Sequence, residues 1–78
     1  MSTDGVDRDK PVLLHEQVAD ALRQRIKAGK ITGRVPSIVT ISQEFEVSHK
    51  TADHALHTLR DEGVIVAVRG RGYFVKGR

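Results

Sequence analysis

Residues 37–63 read SIVTISQEFEVSHKTADHALHTLRDEG, and their spacing decides the fold. Ile38, Ile41 and Phe45 recur at i, i+3 and i+7, which places them on one side of a short helix over 38–45. Ser37 follows Pro36 and is placed to cap that helix. Ala52, Ala55, Leu56 and Leu59 form a second apolar stripe, with Ser48 as its cap and Gly63 as its stop, so a further helix is expected over 49–62. Only Glu46, Val47 and Ser48 separate the two. Two short amphipathic helices joined this tightly form a helix-turn-helix, with Val47 expected to plug the core at the turn.

Upstream, Leu14, Val18, Leu22 and Ile26 recur every four residues beside Ala21, and Gly29 follows as a natural stop. A first helix is therefore expected over 13–28. Residues 31–36 hold the breakers Gly33 and Pro36 and leave room for an extended piece of two or three residues. Residues 1–10 are polar and aperiodic and read as a disordered leader, with the folded domain over 11–78. Downstream, Val64–Val68 is rich in β-branched residues, Arg69-Gly70-Arg71-Gly72 is a turn signal, and Tyr73-Phe74-Val75 is a second strand. An isolated hairpin is marginal in water, so it must pack on the helices. The expected fold is α+β, mainly α: a three-helix winged helix-turn-helix with a C-terminal β-hairpin wing.

Composition narrows the function. The chain has 78 residues, no cysteine, 38% apolar and 29% charged residues, and a net charge of +3. That suits one small soluble domain and excludes disulfides and thiolate metal sites. No apolar run approaches the ~18 residues of a membrane span, and the acidic start is no signal peptide, so a cytoplasmic location is expected. Charge is unevenly placed. Residues 23–34 hold Arg23, Arg25, Lys27, Lys30 and Arg34 without an acid, and residues 63–78 hold Arg69, Arg71, Lys76 and Arg78 without an acid. The first block by itself reads as a solvated helix face. The second lies in a glycine-rich turn, where close approach to a phosphate backbone or a minor groove becomes possible.

Four segments together carry a family resemblance. The run from Glu16 to Ile26 followed by Gly29 resembles the opening helix of GntR-type bacterial transcription regulators. Gly33 with Pro36-Ser37 is similar to the family's approach to its second helix. Val47-Ser48-x-x-Thr51 with Ala55-Leu56-x-x-Leu59-x-x-x-Gly63 resembles its recognition helix, and Gly70-Arg71-Gly72-Tyr73-Phe74-Val75 resembles its wing. The match runs over about 12–75 in the family's order. There are departures: Ile38 and Val39 stand where the family has an acid and a phosphate-gripping Arg, His49 stands where Arg is common, Val35 fills a leucine position and Tyr73 replaces a wing Thr. Only Lys76-Gly77-Arg78 follow the wing, where family members carry a domain for a small-molecule effector and dimerisation. The resemblance therefore implies a repressor module with no effector site in this chain.

The residues expected at DNA follow from these placements. With 52, 55, 56 and 59 turned inward, His49, Lys50, Asp53, His54 and His57 face outward, and the first turn of the recognition helix, about 48–62, should approach base edges in the major groove. Lys50 suits guanine or phosphate, His49 and His54 suit purine acceptors, Ser48 caps the helix and can also donate to a phosphate, and Thr51 suits a thymine methyl or a phosphate, although it can equally serve as a first-turn hydroxyl. Asp53 is unfavourable near phosphate; it can accept from cytosine or pair with Lys50 or His57. Ser37 and Thr40 are expected to donate to phosphate. In the wing at 69–73, Arg71 is expected in the minor groove, Arg69 and Lys76 on the backbone, and Gly70 and Gly72 in the turn itself. His54, His57 and Asp53 lack a closing ligand, so neither a metal nor another cofactor is expected. The expected partner is a palindromic duplex, read by two copies that pair on DNA. The alternative is a winged-helix module for protein contacts. An enzyme is not expected, because no nucleophile–base pair, paired acids or phosphate loop is present.

Overall fold

The computed structural model describes residues 13–76. The expected leader at 1–10 lies outside the described residues. The order is α1 (Leu14–Lys27), α2 (Ile38–Phe45), α3 (His49–Asp61), β1 (Ile65–Val68) and β2 (Gly72–Val75). Each boundary lies within one residue of the sequence expectation.

The helix ends are set by local chemistry. The Ser37 Oγ accepts from the Thr40 N–H at 3.2 Å, and the Ser48 Oγ accepts from the Thr51 N–H at 3.0 Å. Each serine thus satisfies one of the donors that a helix start leaves open. α1 ends with the Gly29 N–H on the Ile26 carbonyl and the Lys30 N–H on the Arg25 carbonyl. α3 ends the same way, with the Gly63 N–H on Arg60 and the Val64 N–H on Leu59. This pair of bonds is the Schellman closure, and at Gly63 it requires a left-handed residue, φ 81°. α2 ends differently. Glu46 takes φ 56°, ψ 47° without being a glycine, and this single left-handed residue swings the chain from α2 towards α3.

The three stripes meet in one core. Val18, Leu22, Ile41, Phe45, Leu56, Leu59 and Ile65 are its largest fully buried side chains. Val47 is partly buried and packs on this cluster at the α2–α3 turn, as its position suggested. Burying a side chain of this size contributes about 1.5–3 kcal/mol, so a domain this small depends on nearly all of them.

β1 and β2 pair antiparallel, Ile65 with Val75 through Val68 with Gly72. Gly72 therefore belongs to the strand, and the loop is Arg69-Gly70-Arg71, closed by the Arg71 N–H on the Val68 carbonyl at 2.9 Å. The short extended piece expected before Pro36 is a third rung. Arg34 bridges to Phe74, the Val35 N–H donates to the Tyr73 carbonyl at 2.9 Å, and the Val75 N–H donates to the Gly33 carbonyl at 2.7 Å. Along β1, Ile65 lies in the core and Val66, Ala67 and Val68 are exposed. Among the described residues no helix is long and apolar enough to cross a membrane.

Candidate nucleic-acid interface

The candidate residues sit on three elements that adjoin. A groove of about 300 Å³ is lined by Ser37 and Val39 at the start of α2, Leu56 of α3, and Gly72 and Tyr73 of β2. The base of the wing thus lies against the helix-turn-helix. A larger cleft, about 760 Å³, opens between the end of α1, residues 29–33 and Val75–Lys76, and of the candidates it contains Lys76 alone.

The two helix caps share one design. The Ser37 Oγ donates to the Thr40 Oγ1 at 3.1 Å while accepting from the Thr40 N–H, and Ser48 and Thr51 repeat this at 3.0 Å. The two hydroxyls of each pair share one hydrogen bond, so one proton of the pair is left for an external acceptor. Both serines and Thr40 are exposed, and Thr51 is half-buried. Each cap therefore serves the helix first and presents a hydroxyl second.

On α3 the apolar positions 52, 55, 56 and 59 are buried and His49, Lys50 and His54 are exposed. Asp53 and His57 are half-buried and face each other, Oδ1 to Nε2, at 3.5 Å. Of the two partners suggested for Asp53, the structure selects His57. His54 stacks on His15, ring centroids 3.6 Å apart and planes 9° apart. His15 lies inside α1, half-buried, as the second residue of a helix that turns it towards α3. His54 therefore presents one ring face to α1 and keeps its edge for solvent. His54 and His57 thus engage different partners. Among the described residues no three His, Asp or Glu side chains gather into a cation site.

The two basic blocks are used differently. Arg23 holds Glu62 through Nε and Nη2 at 2.9–3.0 Å and Asp20 through Nη1 at 3.0 Å. Arg25 pairs with Glu44 at 2.7 Å, and its guanidinium lies 5.0 Å over the Phe45 ring. These two arginines fasten α1 to α3 and to α2, so the first block is in part an internal clamp rather than a solvated face. Arg69, Arg71 and Lys76 are exposed and have no acidic partner among the described residues. Gly72, at φ 99°, lets the backbone leave the turn in a conformation closed to most side chains. Tyr73 is half-buried on the core, which fits its having no assigned contact.

Sequence reasoning passed over His15 and Arg34. The signal for His15 was its place one residue after Leu14, the first member of the helical stripe. For Arg34 it was a cation between Gly33 and Pro36, in the extended piece itself.

Three helices with a tight α2–α3 turn and a hairpin packed on α3 define the winged helix-turn-helix class. The chain belongs to the gntR family of bacterial regulatory proteins, whose family model matches residues 14–75. An uncharacterised HTH-type transcriptional regulator of Rhizobium meliloti (strain 1021) is 38% identical over 73 residues, covering 91% of this chain and 30% of that protein. The histidine utilization repressor of Klebsiella aerogenes is 34% identical over 70 residues, 87% of this chain and 29% of that protein. The chain thus spans about 30% of the length of the curated relatives it matches. Among solved structures, YtrA from Sulfolobus acidocaldarius, a GntR-family transcription factor, aligns with a TM-score of 0.85 at 30% identity, covering 99% of this chain and 83% of that one. The DNA-binding domain of AraR in complex with its operator ORX1 aligns with a TM-score of 0.76 at 27% identity, over 96% of this chain and 99% of that one. The family is one of regulators, not of enzymes.

Proposed function

We propose that this chain reads double-stranded DNA sequence-specifically as the operator-binding unit, over 11–78, of a cytoplasmic transcription repressor. The observation that carries this reading is the split between the basic blocks. The helix arginines Arg23 and Arg25 are paired with carboxylates, while the wing arginines are exposed without an acidic partner among the described residues, next to a helix-turn-helix whose first turn is polar. Operator binding by the related AraR domain supports it.

In this reading the first turn of α3 enters the major groove. Lys50 and His49 meet base edges or phosphate, and Ser48 and Thr51 secure the helix start beside the backbone. The edge of His54 flanks them. Ser37 and Thr40 face phosphate from α2. Arg71, carried by the turn through Gly70 and Gly72, enters the minor groove, with Arg69 and Lys76 on the adjoining backbone. Two copies occupy half-sites of a palindrome and pair on the DNA.

Selection of bound sites from a random duplex library tests the reading. Enriched sites with two-fold symmetry are expected. Recovery of an unbiased pool would exclude sequence-specific binding, and enriched but asymmetric sites would exclude the paired arrangement. Arg71→Ala is expected to lower the slope of log affinity against log salt by ~0.9, the value of one neutralised phosphate, if Arg71 touches the backbone. It should instead relax preference at flanking A·T pairs if it enters the minor groove.

A further inference from the structure

We infer that Arg34, on the rung beside the wing, is a phosphate contact that spans the gap between the helix-turn-helix and the hairpin. This rests on the duplex-binding reading above and adds a residue that neither the motif nor the caps point to.

The backbone of Arg34 is fixed. It bridges to Phe74 in the sheet, and the bonds of its neighbours, Val35 N–H to the Tyr73 carbonyl and Val75 N–H to the Gly33 carbonyl, hold it from both sides. Pairing with Phe74 places the two side chains on the same face of the sheet. The guanidinium then runs along that face towards the turn: a Cβ at Gly72 would lie 3.9 Å from its Nη2. Arg34 also lines the groove that Ser37 and Val39 border from the α2 side. One end of this side chain is therefore anchored beside the start of α2, and the other reaches the wing.

Arg34 is exposed and has no acidic partner among the described residues. Arg23 and Arg25, from the same basic block, are each held by a carboxylate. A guanidinium that is positioned by a sheet but left unpaired is pre-oriented for an outside anion, and its planar fork suits a phosphate better than an ammonium does. The anion expected between a helix in the major groove and a wing at the neighbouring minor groove is the sugar–phosphate strand that separates the two grooves.

The test uses the whole chain and a random-sequence duplex, because a phosphate contact is independent of base sequence. Affinity is measured from ~50 to ~200 mM salt for the wild type, Arg34→Met and Arg34→Lys, with Arg23→Met as the matched control. Arg34→Met is expected to bind roughly tenfold more weakly at the low-salt end and to lose ~0.9 from the salt slope, while Arg34→Lys keeps the slope and Arg23→Met leaves it unchanged. An unchanged slope in Arg34→Met overturns the inference, whether or not affinity falls, because lost packing alone would not alter counterion release. If methionine unfolds the wing, the Arg34 Nε–Hε resonance of the wild type decides. Its shift on titration with duplex supports the contact, and its constancy overturns it. If the wild type shows no salt-dependent duplex binding at all, the duplex-binding reading itself fails; if the wild type binds and the Arg34 variants behave like it, this inference alone fails.

Discussion

Arg23 on α1 and Glu62 at the end of α3 are 39 residues apart in sequence, yet the guanidinium meets both carboxylate oxygens, with Nε and Nη2 at 2.9–3.0 Å. The arginine is three-quarters buried and the glutamate is 42% exposed, so the pair is screened on one side only. Its forked geometry is the case in which an ion pair near a surface contributes measurably.

Arg23→Ala should therefore lower stability by about 1 kcal/mol, which is a fall of about 4–8 °C in melting temperature for a domain of this size. Well below that temperature, duplex affinity and its salt slope should stay at the wild-type values. A thermal melt and a salt titration on the same sample check both halves.

Ser48 allows stability and binding to be separated. Ser48→Ala removes the acceptor for the Thr51 N–H and should cost about 1 kcal/mol in urea unfolding. Ser48→Asp keeps an equally good cap and adds a negative charge where the phosphate is expected, so it should fold normally and bind duplex more weakly than Ser48→Ala. Equal binding by the two variants would move the backbone away from the start of α3.

Asp53 is the carboxylate nearest the start of the recognition helix, 3.5 Å from His57. Asp53→Asn should raise affinity for random duplex several-fold and steepen the salt dependence, because a like charge near the phosphates is removed. If Asp53 also accepts from a cytosine N4, the same variant should lose preference at one base pair of the selected site, which a competition assay reads.

Phe45 is fully buried at the end of α2 and carries the Arg25 guanidinium 5.0 Å above its ring. Phe45→Ala should cost about 3–5 kcal/mol, which leaves a large unfolded fraction where total stability is ~5 kcal/mol, the low end expected for a domain this small. Circular dichroism at 25 °C against that of Phe45→Leu, which refills most of the volume, measures the difference.

The fold was legible because its signals are local. The i, i+3, i+4 stripes located α1, α2 and α3, and Ser37 and Ser48 marked two helix starts by the one hydrogen bond each accepts. Gly63 marked a stop because its left-handed φ is unfavourable for other residues. Relationships between elements were not legible. Nothing in the spacing of His15 and His54, or of Arg25 and Glu44, says that their helices cross where those side chains meet. Arg34 belongs to the same class, since its role is set by a single backbone bridge to a strand 40 positions later. Glu46 was hidden for another reason: the left-handed position that ends α2 is filled by a residue whose type does not announce it.

The bonds from Gly33 and Val35 to β2 stitch the hairpin to the segment that leads into α2. Hairpin and helix pair are thereby joined like the two jaws of a caliper. A duplex gripped by both jaws must conform to their opening, so flexible base steps lying under the gap, untouched by any side chain, should be selected for how cheaply they compress. Operator variants altered only at those steps, compared for affinity, measure the stiffness that the caliper senses.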